Sequence, residues 1–196
     1  MSEGEDSTDL VSIFVNKFKP GDNLVKPDEK TIELATSVIP QELISLWEKY
    51  GFGDYGDGII KVINPYKYSD ILYQWLGRED ENKLPIFLTA FGDIFYYRKL
   101  SDIEDDVSLL SIHYKSIDVC ALSFEDFMEE YIVAEDVEED VLRKSLFLEA
   151  KEKYEKLNEN EIFFFVPALA LGGNEDIKYV NKGDLRVQQN ILFQMN

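Results

Sequence analysis

Apolar positions recur three and four apart in the first third of the chain, run together in its middle, and return to helical spacing near its end. Residues 8–18, TDLVSIFVNKF, have the helical spacing and predict a first helix. KPGDNLVKPDEKT then reads as a loop, with two prolines and one glycine. Pro40 opens PQELISLWEKYG, in which Leu43, Trp47 and Tyr50 share a face. Proline at the start and Gly51 just past the end punctuate this helix on both sides. After a glycine cluster, GIIKVINP predicts a short strand, and Asn64 caps the next helix. That helix, YKYSDILYQWLG, puts Tyr68, Ile71, Leu72 and Trp75 on one side and stops at Gly77.

The middle of the chain reads as strands. LPIFLTAF and IFYYRKL flank a Gly92-Asp93 hairpin signal. DVSLLSIHY and SIDVCAL follow with a short turn between them, so the sheet is expected to be an antiparallel meander. Ser123 and Asp126 resemble a capping box before FEDFMEEYI. VEEDVLRKSLFLEAKEKYEKL predicts one long amphipathic helix with Leu142, Leu146, Ala150, Tyr154 and Leu157 in a stripe. IFFFVPALALGG reads as a strand entering a loop, and Asp184 as the cap of a final helix, LRVQQNILFQ. The expected class is α+β: a central, mostly antiparallel meander sheet flanked by helices on its N- and C-terminal sides.

Composition narrows the chemistry. The chain has 196 residues, 45% of them hydrophobic, enough for a substantial core. Its one cysteine, Cys120, and one histidine, His113, exclude an internal disulfide and a Cys/His zinc site. Cys120 is expected to fill core in a buried strand, and His113 to sit on the sheet surface. No apolar run is long enough to span a bilayer. The acidic start, MSEGEDSTDL, lacks the charge and apolar pattern of a secretory signal, so a cytoplasmic protein is expected.

Charge changes the picture most. There are 39 acidic and 20 basic side chains, a net charge of −19. Phosphate backbones are repelled, so no direct nucleic-acid or membrane partner is expected, and a basic protein partner is. Asp102, Glu104, Asp105 and Asp106 form one acidic cluster. Residues 125–140 form a longer run that includes Glu135, Asp136, Glu138 and Glu139 and no basic residue. A solvated helix end accounts for such runs in part, and acid at a helix N-terminus is locally stabilising. The functional reading of these eight residues is a docking surface for a cationic protein.

The stretch KYGFGDYGDG contains G-x-G-x-x-G at Gly51, Gly53 and Gly56. A dinucleotide fingerprint needs a strand before it and a helix after it, and here the order is reversed. Two aspartates are also too few for an EF-hand loop. The glycines are expected to serve conformation: one ends a helix and the others permit positive φ on the way into a strand. There is no G-x-S-x-G elbow, and any pairing of carboxylates is expected by chance, so neither a catalytic residue, nor a metal, nor a cofactor is predicted.

IPQELISLWEKYGFGDYGDGIIKVINPYKYSDILYQWLG, residues 39–77, resembles the GAD-like domain, and LPIFLTAFGDIFYYRK resembles the hairpin that follows it there. FFFVPALALGGNEDIKYVNKGDLRVQQNILFQ, residues 163–194, resembles the C-terminal segment of the same proteins, most distinctively at Val166–Gly173. The family includes type VI secretion immunity proteins. The resemblance therefore implies a non-enzymatic antitoxin that binds and neutralises a cognate basic toxin, a DNase effector. It divides the chain into a variable N-terminal helix and loop (1–29), a GAD-like region (30–121) and a C-terminal immunity-type region (122–196), packed as one unit. The first 30 residues and the acidic run near 135–140 carry no part of the resemblance. The alternatives are a protein-binding adaptor of the SMI1/KNR4 kind, unrelated to toxins, and a metal-assisted hydrolase using paired carboxylates.

Overall fold

A computed structural model describes residues 9–195. Its centre is a six-stranded sheet in the order β1-β2-β3-β4-β5-β6. The strands are Gly53–Tyr55, Ile60–Val62, Lys83–Thr89, Ile94–Lys99, Asp105–Ser111 and Ser116–Ala121. Each pairs antiparallel with the next, as the meander predicts.

Both faces of the sheet are covered, which explains the unbroken apolar run of β4. Phe95 and Tyr97 face one core, and Ile94 and Tyr96 face the other. The first core lies under α1 (Leu10–Lys17) and α3 (Gln41–Lys49). Its axis is aromatic: Phe14 stacks on Phe87 at 5.1 Å, and Phe87 on Phe127 at 6.0 Å. The second core joins Leu88, Ile94 and Leu110 of the sheet to Ile71 and Leu72 of α4 (Pro65–Leu76) and Leu192 of α7 (Leu185–Gln194).

The capping signals are realised. Asn64 accepts from the Tyr66 amide, Ser123 from Asp126 and Asp184 from Val187. Gly77 ends α4 in the left-handed conformation. In α3, Leu43 and Trp47 are fully buried, as their spacing predicts. The predicted helix at 8–18 is α1, with Asp9 as its N-cap and Phe18 just past its end; residue 8 lies outside the described residues.

The glycine cluster has the conformational role expected of it. Gly51 (φ 117°) lies where Val25 and Phe52 exchange two backbone hydrogen bonds of 2.8 Å, and a Cβ there would sit 2.8 Å from the Val25 carbonyl oxygen. Residues 20–25 thus lie along the open edge of β1 and shield it. Gly92 (φ 86°) turns the β3–β4 hairpin under Ile162, whose Cδ1 is 2.7 Å from where a Cβ would be.

Several elements differ from the sequence reading. The loop expected over 19–31 gives way at Asp28 to α2 (Glu29–Ala35), which this residue caps through the Thr31 amide. GDY forms β1, too short to show a period. VNKGD forms β8 (Val180–Asp184), which pairs with β7 (Glu161–Phe165) in a second sheet despite a single large apolar residue. FEDFMEEYI is a three-residue helical turn, α5 (Phe124–Asp126), running into a π-turn. The long helix predicted over 137–157 is two pieces. Val137–Val141 forms a π-turn, Arg143 adopts left-handed φ 55°, and α6 (Lys144–Tyr154) starts afresh. Cys120 is half-buried on the outer strand β6, not core filling in a buried strand, although burial still raises its thiol to about 11.

Candidate partner-binding face

The break at Arg143 makes the site. Its guanidinium is 5% exposed, and its Nη1 donates to Asp93 Oδ2 at 2.8 Å. Its Nε donates to Glu175 Oε1 at 2.7 Å, an oxygen that also accepts from the Tyr114 hydroxyl at 3.0 Å. The rings of Phe91 and Phe165 lie 5.4 and 5.9 Å from the guanidinium carbon. Burial alone would lower the pKa of Arg143, but the charges and hydrogen bonds of Asp93 and Glu175 outweigh it and hold it above the ordinary arginine value. The network ties the β3–β4 hairpin (Asp93) to the start of α6 and to the loop before β8.

Above this network lies a cleft of about 510 Å³ lined by Glu139, Asp140, Glu149, Glu175 and Asp176. Arg143 is the cation in its wall, and its charge is already matched by two carboxylates. Glu139, Asp140 and Glu149 are exposed and make no ion pair among the described residues. The cleft therefore presents several negative charges within one concavity, where the low-dielectric walls focus the field. Among the described residues, no group of three or more His, Cys, Asp or Glu could hold a metal ion.

The eight acidic residues picked from the sequence divide between two places. Asp102 and Glu104 are exposed on the β4–β5 turn. Asp105 accepts from the Tyr97 hydroxyl at 3.1 Å and the Phe124 amide at 2.7 Å. Asp106 is buried in β5 and receives Arg98 from the paired position on β4, so it presents no carboxylate to a partner. Glu135 and Asp136 are exposed, with Asp136 accepting from the Val137 amide. Glu138 is held between Lys17 (2.8 Å) and Lys144 (3.1 Å). Glu139 alone of the eight lines the cleft. Glu149, Glu175 and Asp176 were missed because they come from α6 and a loop far along the chain, with no local pattern linking them.

His113 is 1% exposed, not on the sheet surface. Its Nε2 lies 2.6 Å from the Phe91 carbonyl oxygen, which can only accept, so Nε2 carries the proton. Nδ1 has no hydrogen-bond partner. The ring stands edge-on to Phe165 and walls a separate recess of about 220 Å³ with Val166, Pro167, Ala168 and Leu171 of the distinctive V-P-A-L-A-L-G-G segment. Burial lowers the His113 pKa and outweighs the attraction of Asp93; Arg143 acts with burial. The unfolded chain takes up a proton here near pH 6.5, and the folded chain only at lower pH. Stability is then full above that pH and falls on acidification, by up to about 1.4 kcal/mol per pH unit. Urea unfolding at about pH 7.5 and about pH 5.5 is expected to show this loss, and His113→Gln to flatten it.

Family comparison divides the chain in two. The GAD-like domain model matches residues 9–110, and the model described as the T6SS immunity protein Tdi1, C-terminal, matches residues 121–196. Both agree with the resemblance read from the sequence. The first match takes in the helix and loop ahead of residue 30, and the second takes in the acidic run at 135–140. The crystal structure of Atu4351 from Agrobacterium tumefaciens superposes with a TM-score of 0.74 at 17% identity, over 94% of this chain and 88% of that one. That likeness is one of fold. None of the curated proteins compared with the chain matches it. No helix among the described residues is long and apolar enough to cross a membrane.

Proposed function

From the premise that the chain belongs to the GAD-like domain family, its second half matching a type VI secretion immunity protein, we propose that it binds and neutralises a cognate type VI secretion toxin, a DNase. The Tdi1 match supports the immunity role. The observation that supports the nuclease target is the acidic cleft, whose one lining arginine is already neutralised. A DNase must carry a basic DNA-binding groove, and three unpaired carboxylates in a concave wall, beside Glu175 and Asp176 with their own cations, offer that groove a competing polyanion. The protein works in the producer's cytoplasm by occupying the toxin, without bond-making of its own.

Co-expression with the effector encoded beside it tests the reading. Protection of the host together with a complex that co-purifies is expected; killing at matched expression with no complex would end the proposal. The association rate is expected to fall steeply as salt rises, because exposed charges are screened over about 8 Å at physiological ionic strength. Stopped-flow mixing at low and high salt measures it, and a salt-independent rate would remove the cleft's charge from the account.

A further inference from the structure

A third cavity, of about 700 Å³, opens where residues 23–28, the β1–β2 strands, the start of α4 and the segment after α6 meet. Its wall reverses the charge balance of the chain. Lys26, Lys61, Lys67 and Lys156 line it against Asp28, Asp54 and Glu159, in a protein with about two acidic residues for every basic one. Two of the carboxylates have partners, while Glu159 is exposed and makes no ion pair among the described residues; Lys26 donates to the Glu48 and Lys49 carbonyl oxygens. Asp28 caps α2 through the Thr31 amide at 2.7 Å, and Asp54 lies 3.6 Å from Lys61 and 3.7 Å from Lys156.

Lys61 is the unusual member. It is 5% exposed, and its Nζ donates to the main-chain oxygens of Asn158 (3.3 Å) and Glu159 (2.9 Å). Burying an ammonium costs several kcal/mol unless it is paired and hydrogen-bonded, and here the partners are two neutral carbonyls and one carboxylate at the edge of contact. Burial lowers the Lys61 pKa, and Asp54 opposes that shift only in part. Lys67 is exposed on the first turn of α4 and makes no ion pair among the described residues; the helix dipole adds to its field. Phe52 and Leu157 supply an apolar wall, and Gly53 brings the glycine loop to the same space. The volume is that of a small-molecule site.

We propose that this cavity binds a small organic anion, its phosphate or carboxylate group drawn by Lys67 and by Lys156, for which it competes with Asp54, and its apolar or aromatic body on Phe52 and Leu157. The site is separate from the acidic cleft and does not depend on the identity of the toxin. Amide chemical shifts of the full chain, titrated with four probes, test it. Adenosine monophosphate and indole-3-acetate distinguish a phosphate from a carboxylate head, while inorganic phosphate and adenosine supply charge and body alone. At least one of the first two is expected to shift the Gly53, Lys67 and Asn158 amides saturably, with a Kd below about 1 mM, and more tightly than either fragment. Lys67→Ala with Lys156→Ala is expected to weaken it at least about tenfold. No shift of those amides at several times that concentration, or unchanged affinity in the double variant, would overturn the proposal. The same variant is expected to neutralise the toxin as the parent does. Loss of neutralisation would make the cavity part of the toxin interface and overturn its assignment to a small ligand.

Discussion

Replacing Glu139 and Glu149 together by lysine is expected to abolish neutralisation of the toxin and leave the fold unchanged. Both side chains are exposed and have no ion pair to lose, so surface substitution there costs the fold little. For the partner the change is large. A wall of five carboxylates becomes three carboxylates and two new cations beside Arg143, and a basic groove then meets like charge. At about 1–2 kcal/mol for each reversed charge, the Kd rises by roughly two orders of magnitude. Calorimetric titration against the purified toxin measures the loss, and a thermal melt checks the fold. Asp102→Lys with Glu104→Lys is the control, since those residues sit on the β4–β5 turn outside the cleft; about a threefold effect or less is expected. If the turn variant lost binding and the cleft variant kept it, the contact face would be the turn.

Arg143→Met is expected to destabilise the protein by about 3–5 kcal/mol, the usual cost of removing one partner from a buried ion pair. Asp93, 2% exposed, would be left charged in the interior. Glu175, 32% exposed, would be hydrated more easily and adds less. For a chain of this length the melting temperature should fall by roughly 6–20 °C. The double variant Arg143→Met, Asp93→Asn should recover part of the loss, because the amide carries no charge and its oxygen can still accept from Ile112 as Asp93 does at 2.9 Å. Calorimetry on the three proteins decides it. A single variant melting within a degree or two of the parent would show that the network contributes little.

The same arginine shows where sequence legibility stops. Helix ends were legible because a cap is a local event: Asn64 before Pro65, Ser123 before Asp126 and Asp184 before Leu185 each act within three residues. The meander was legible because its strands are successive and joined by short turns. The break between Val141 and Lys144 was not, since VLRKSLFLEA has good helix propensity throughout and the force that bends it comes from Asp93 and Glu175, 50 and 32 residues away. Asp106 was misread for a similar reason. In sequence it sits in a run of acid, and only the β4–β5 register sets it opposite Arg98. His113 follows a strand whose alternation gives no hint that the Phe91 carbonyl waits for its ring. Of the cleft, the sequence supplied the charge and one residue, Glu139; its concavity depends on that same unpredicted break.

The guanidinium bridge also restricts how such proteins can be recombined. The hairpin carboxylate belongs to the segment matched as GAD-like, while the arginine and its other partner belong to the segment matched as Tdi1-like. A chimera that grafted residues 121–196 onto another GAD-like unit would import the cation without its innermost counter-charge. Unless the recipient offered an acid at the same turn, the hybrid would enclose a half-matched charge at its seam, so the two portions are inherited most safely as a pair.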